Sequence, residues 1–190
     1  MSGRLLNCLL ALVLCSLTPL VVADADEEAW QALREGRAVL ILRHALAPGT
    51  GDPDHFELGK CSTQRNLNEQ GRAQARAWHG YLASHGIDNA QLYSSQWCRC
   101  MDTAKGMALG NVQAMPSLNS FFRGRGNRDQ QTRATIASVN ALGSEVPVIL
   151  VSHQVNITAL TGVYPASNEG VILARPLSER PAVLARVTPE

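Results

Sequence analysis

Two segments of the chain, Ala38-Val39-Leu40-Ile41-Leu42 and Val146 to Val151, are apolar at nearly every position and rich in β-branched residues. A strand with one wet face alternates apolar and polar side chains; a run without alternation fits a strand covered on both faces, as in a parallel sheet. Shorter strand candidates lie at Gln91 to Ser95, Val112 to Met115, Val171 to Ala174 and Ala182 to Val187. Helical stretches separate them. Asp26 to Gly36 starts acidic and ends on glycine. Asn68 is placed to cap a helix in which Ala75, Trp78 and Leu82 recur at helical spacing, with Gly86 at its end. Ser95 is placed to cap a helix from Trp97 to Leu109, Thr132 to Leu142 reads as helix, and a short helix starts at Gln154. Strands alternating with helices predict a three-layer α/β/α sandwich with a mostly parallel central sheet. With no repeat, low-complexity tract or linker, residues 24–190 read as one domain.

Ahead of that domain, residues 1–23 read as a signal peptide. Arg4 precedes a nearly unbroken apolar stretch from Leu5 to Val22, and Val21-Val22-Ala23 offers small residues for cleavage, with Ala25 as an alternative end. The predicted location is the periplasm or the exterior, with no membrane span left after cleavage; an uncleaved anchor is the competing reading. Export would remove Cys8 and Cys15 and leave Cys61, Cys98 and Cys100. In an oxidising compartment Cys61 can then bridge to Cys98 or to Cys100.

Composition narrows the partners. Hydrophobic residues make up 45% and the net charge is +1, which excludes a disordered chain and speaks against a nucleic-acid binder. Of 17 basic residues only Lys60 and Lys105 are lysines. Arginine's planar fork suits carboxylates and phosphates, so the placement of particular arginines matters.

In open α/β sheets, ligands bind beyond the carboxyl ends of the strands. Three strands carry candidate chemistry there: Arg43-His44, Arg99 one turn into a helix after Ser94-Ser95, and His153. Two imidazoles and two guanidiniums at one edge suit a phosphoryl group. Arg43 and Arg99 would hold the non-bridging oxygens, and the N-terminus of the helix near Trp97 would add donors. A neutral imidazole can attack phosphorus to give a phosphohistidine, and a second histidine, if protonated, can donate to a phosphoryl oxygen. This scheme needs no metal or cofactor. Arg43 paired with Asp52 or Asp54, and Arg99 as an exposed helix charge, are the purely structural alternatives. His55, His79 and His85 are read as structural. No Gly-x-Ser-x-Gly elbow, complete phosphate loop or Cys-x5-Arg pattern competes.

The chain resembles the histidine phosphatase superfamily, whose fold is that of phosphoglycerate mutase. The matching pieces are Leu42-Arg43-His44, Asn66-Leu67-Asn68-Glu69-Gln70-Gly71-Arg72-Ala73-Gln74-Ala75, Tyr93-Ser94-Ser95-Gln96-Trp97-Cys98-Arg99-Cys100-Met101-Asp102-Thr103-Ala104 and Val151-Ser152-His153. The resemblance implies His44 as the phosphorylated nucleophile, with Arg43, Arg99 and His153 completing the phosphate pocket. Arg65 matches an additional arginine near the mouth in small phosphohistidine phosphatases. The chain departs at Ala45, where the family has glycine, and at Gln154. It also lacks a carboxylate in Leu118-Asn119-Ser120-Phe121-Phe122, where the mutase branch carries its general acid. Glu169 is the expected substitute, because an antiparallel strand after it would start at the edge where the others end; Asp129 and Asp54 rank behind it. The implied activity is that of an exported, metal-independent phosphatase acting on a small phosphorylated substrate, with cell-envelope sugar phosphates as candidates. The alternatives are a protein that binds phosphate without turnover and, given an open shallow pocket, a phosphoprotein or phosphohistidine phosphatase.

Overall fold

The run at 38–42 forms strand β1 (Ala38–Arg43), buried through Leu42. The second run forms β4 (Val148–Ser152), buried throughout. The structure, a computed structural model, describes residues 25–143 and 145–189; the expected leader at 1–23 lies outside the described residues. β1 and β4 pair in parallel, with Leu42 opposite Val151 and Arg43 opposite Ser152. Successive side chains point to opposite faces of a sheet. Leu40 and Leu42 thus join one core with Trp78, Leu82, Ile149 and Val151, while Val39 and Ile41 join another with Val148, Leu150, Ile157 and Leu173. The missing alternation in the sequence records this double burial.

The remaining elements are α1 (Ala25–Arg34), α2 (Glu69–Ser84), β2 (Gln91–Ser94), α3 (Cys98–Gly106), β3 (Val112–Ala114), α4 (Arg128–Asn140), α5 (Gln154–Thr161), β5 (Gly170–Ala174) and β6 (Val183–Val187). The strand order is β3-β2-β4-β1-β5-β6. β3, β2, β4 and β1 run parallel, and β5 is antiparallel to both β1 and β6. Residues of α1, α2 and α3 contribute to the core on one face and residues of α4 and α5 to the core on the other, which makes the predicted three layers. Among the described residues no helix is long and apolar enough to cross a membrane.

Two caps differ from expectation. α4 starts at Arg128 rather than near Thr132, because the Asn127 side chain accepts from the Gln130 amide. α3 begins after Trp97, which makes no side-chain cap bond; instead the Cys98 amide donates to Oε1 of Gln64, 34 positions away. Ser95 contributes as expected one residue earlier, its Oγ accepting from the Trp97 amide at 3.3 Å, and the long-range contact adds to it. Asn68 caps α2 as predicted, accepting from the Gly71 amide at 2.8 Å. Gly71 is glycine for a steric reason, since a Cβ there would lie 2.0 Å from the Leu46 carbonyl oxygen. The first turn of α2 can therefore press against the chain just beyond His44. The open cysteine pairing resolves to Cys61–Cys98, with Cys100 free and buried.

Candidate active site

Because β1 and β4 run side by side in one direction, Arg43-His44 and Ser152-His153 emerge at the same sheet edge. The His44 amide extends the ladder by donating to the Ser152 carbonyl at 3.0 Å. β2 ends at this edge too and leads into α3, whose first turn carries Arg99. His44 is 2% exposed, Arg99 3% and His153 4%. The two imidazole centroids are 5.5 Å apart. Arg99 bridges them: its Nε donates to Nε2 of His44 at 3.2 Å, and its Nη2 to Nδ1 of His153 at 3.3 Å.

Arginine only donates, so these bonds assign the tautomers. His44 carries its proton on Nδ1, which donates to the Ala45 carbonyl at 2.8 Å, and keeps a lone pair on Nε2. His153 carries its proton on Nε2, facing Oγ of Ser95 at 2.8 Å, and Ser95 donates on to Oδ1 of Asn119. Burial, and next the charge of Arg99, push both imidazoles well below the ordinary histidine range. His44 thus meets the requirement for a nucleophile, a neutral ring with its free nitrogen toward the guanidinium. His153 is likewise neutral here rather than an imidazolium.

These groups line a cavity of ≈ 240 Å³, smaller than the roughly 300–1,000 Å³ that holds drug-sized ligands. Arg43, Arg65, Arg99, Arg123 and Arg125 all line it. Nη1 of Arg43 donates to the Pro165 carbonyl at 3.1 Å, but its buried Nε has no partner among the described residues. A buried donor without an acceptor costs stability and marks a place where an anion would be welcome. Arg65 donates through Nε to the Gly51 carbonyl at 2.8 Å and through Nη1 to that of Ala47. Burial and then the neighbouring Arg99 bring its pKa down to about 10.

Asp52 faces this cationic wall. Its Oδ1 accepts from Nη1 of Arg99 at 2.8 Å and from the Arg65 amide at 3.1 Å, while its Oδ2 accepts from Nε1 of Trp97 at 3.0 Å. Burial alone would raise its pKa, yet the bond and charge of Arg99 win and hold it below the usual carboxylate range. The sequence had offered Asp52 only as a partner for Arg43; its partner is Arg99.

The structure does not bring the other acid candidates to the cavity. Glu169 sits beside the strand end, where its carbonyl accepts from the Arg43 amide. The expected antiparallel β5 does place it at this edge. Its carboxylate, however, accepts from Nε of Arg186 and from the Ala166 amide, and Arg186 lowers its pKa. It is a structural anion. Asp129 is exposed beside Arg128, and Asp54 is exposed as well. In the stretch where a carboxylate was sought stands Asn119, which accepts from the Gln96 amide and from Ser95. Among the described residues no group of three or more His, Cys, Asp or Glu side chains is placed to hold a metal ion.

Residues 39–129 match the histidine phosphatase superfamily, branch 1. No curated protein sequence matches the chain. Solved structures share the fold at low identity. The protein histidine phosphatase SixA, complexed with tungstate, gives a TM-score of 0.57 at 16% identity, over 80% of this chain and 97% of its own. The putative phosphohistidine phosphatase SixA from Agrobacterium tumefaciens gives 0.53 at 20%, over 81% and 98%. A mycobacterial glucosyl-3-phosphoglycerate phosphatase gives 0.53 at 19%, over 77% and 96%.

Proposed function

We propose that this chain, a member of the histidine phosphatase superfamily by its match over residues 39–129, is an exported phosphatase that hydrolyses phosphomonoesters through a phosphohistidine on His44, without a metal. The observation that carries this reading is Arg99, whose guanidinium joins the free nitrogen of His44 to that of His153 inside one arginine-lined cavity. An entering phosphoryl group offers oxygens in place of those two nitrogens. Arg99, the unpartnered Nε of Arg43 and the Arg65 guanidinium then hold it. Nε2 of His44 attacks phosphorus in line, the N–P bond forms, and the ester oxygen leaves with its electron pair. The same arginines offset charge on the equatorial oxygens in the transition state. Water then attacks the phosphohistidine, the N–P bond breaks and Nε2 recovers its lone pair. A dianion beside His153 raises its affinity for a proton, so the bound phosphoryl group itself makes His153 a donor.

Export is supported by the apolar leader sequence and by the Cys61–Cys98 bridge, which fits an oxidising compartment such as the bacterial periplasm. Cell-envelope sugar phosphates are the candidate substrates there. Relatives of the same fold include enzymes named for phosphohistidine and for a phosphorylated sugar acid, consistent with a small phosphorylated substrate.

Alkaline denaturing quench during turnover of labelled p-nitrophenyl phosphate in EDTA tests the reading. Expected are phosphate release and a labelled, acid-labile phosphoryl group mapping to His44. Tight phosphate binding with neither label nor release on any substrate would favour the non-catalytic alternative, and loss of activity on chelation would end the metal-free scheme.

A further inference from the structure

Among the described residues the cavity holds more cation than one phosphoryl group needs and no carboxylic acid to protonate an alcohol leaving from it. Among the described residues Asp52 is the only carboxylate lining it. Both its oxygens already accept bonds, and Arg99 keeps it anionic, so it has no proton to give. An alkoxide leaves badly without an acid, whose usual contribution is about 10²–10⁴-fold. At the mouth stand two further arginines, Arg123 and Arg125, both exposed and neither paired with a carboxylate among the described residues. They are positioned by more than chance proximity. Arg125 lies 4.5 Å over the Phe56 ring, and Phe56 stacks at 4.9 Å on Trp97, the residue that precedes α3 two positions ahead of Arg99. The Arg123 guanidinium approaches Gly51, where a Cβ would fall 3.3 Å from its Nη1.

We infer that the preferred substrate is a phosphoanhydride, with its terminal phosphoryl group on Arg43, Arg65 and Arg99 and its next phosphoryl group held by Arg123 and Arg125. The inference rests on the phosphatase reading, keeps its phosphohistidine step and replaces the ester's alcohol by a phosphate as the preferred leaving group. In the chemical step Nε2 of His44 bonds to the terminal phosphorus and the bridging P–O bond breaks. The electron pair stays on the departing phosphate oxygen, which is stable as an anion at neutral pH and needs no proton. Water later cleaves the N–P bond, giving orthophosphate and releasing one proton to solvent. The two mouth arginines then act on the leaving group by holding its charge, which replaces the missing acid electrostatically.

The test compares inorganic pyrophosphate, p-nitrophenyl phosphate and glycerol phosphate in EDTA with the full protein. Pyrophosphate should exceed glycerol phosphate in kcat/KM by about 10²-fold or more. The double variant Arg123→Ala, Arg125→Ala should lower the ratio of pyrophosphate to p-nitrophenyl phosphate turnover by about tenfold, the effect of losing charge-assisted bonds. The double lysine variant, which keeps the charge, should recover most of that ratio. Pyrophosphate cleaved no faster than glycerol phosphate, or a ratio indifferent to both double variants, would overturn the inference while leaving the phosphatase reading intact. Absence of any phosphoenzyme or turnover would instead bring down the phosphatase reading, and this inference with it.

Discussion

The floor of the cavity and its mouth are built by different means. His44 and His153 leave adjacent parallel strands whose every residue but the terminal Arg43 is buried, and the His44 amide still belongs to the ladder. Moving either ring means deforming the sheet. The mouth is carried by the loop between β1 and α2 and by residues 122–125, which ladder bonds do not hold. Side chains hold it instead: the Cys61–Cys98 bridge, Gln64 on the Cys98 amide, Asp52 on Arg99, and Phe56 between Trp97 and Arg125. A rigid floor can keep one phosphoryl chemistry while a separately tethered mouth selects what is attached to the phosphoryl group.

The sharpest way to break this division is His44→Ala. The substitution leaves the mouth in place, so substrate should still bind, but turnover should fall on the order of 10⁴-fold or more, as when other covalent nucleophiles are removed. A phosphoenzyme trapped on the variant would move the chemistry away from the floor. Next comes the tether. Cys61→Ser with Cys98→Ser opens a crosslink spanning 37 positions, worth about 4 kcal/mol in the chain-entropy treatment. A fall in melting temperature of roughly 8–16 °C is expected at this chain length. Because the bridge ends beside Arg99, KM should rise as well; unchanged melting and unchanged KM would mean that the mouth is not held by the bridge. Arg99→Ala removes the one side chain common to both regions and should cost about 10²–10³ in kcat, the usual loss for an oxyanion donor.

Legibility follows the same line. The floor could be read because covered strands write themselves as unbroken apolar runs, and the residue following each run is fixed at the sheet edge. Arg43, His44 and His153 came from that pattern, and Arg99 from the turn after β2. The mouth could not be read, because its contacts join positions tens of residues apart. Nothing local to Asp52 names Arg99 as its partner, and nothing near Gln64 says that it caps α3. Arg123 and Arg125 lay in a stretch, Phe122 to Arg128, legible only as polar and rich in arginine and glycine. The cysteine pairing was legible to within two choices. Cys98 against Cys100 depended on which face of α3 turns toward the loop, and Cys100 faces inward, where burial drives its thiol up to about 12.

A pH series separates the regions without mutation. Both floor imidazoles resist protonation, so below about pH 6.5 the unfolded chain binds protons that the folded one refuses. Stability is therefore full above that pH and falls as the solution becomes more acidic, with a slope approaching about 2.7 kcal/mol per pH unit for two histidines. Denaturant titrations between pH 7.5 and 5 measure it. Replacing either histidine by asparagine should remove about half of the slope; a slope unaffected by both would mean that the rings titrate normally.

The smallest effect is expected at Glu169, and its smallness is informative. Position alone favours this residue as an acid: it stands beside the strand end, with its carbonyl on the Arg43 amide. Its carboxylate nevertheless turns to Arg186 and the Ala166 amide, and those bonds keep it ionised. An anion committed to a guanidinium on β6 cannot hand a proton across the sheet edge. Glu169→Gln should thus leave kcat within about twofold and the alkaline limb of its pH profile in place, because that limb reports an acid that must stay protonated. A tenfold loss together with disappearance of the limb would place the carboxylate in the reaction. It would also give the cavity the carboxylic acid whose absence points to a phosphoanhydride, so this conservative substitution bears on the chemistry of the floor and the selectivity of the mouth together.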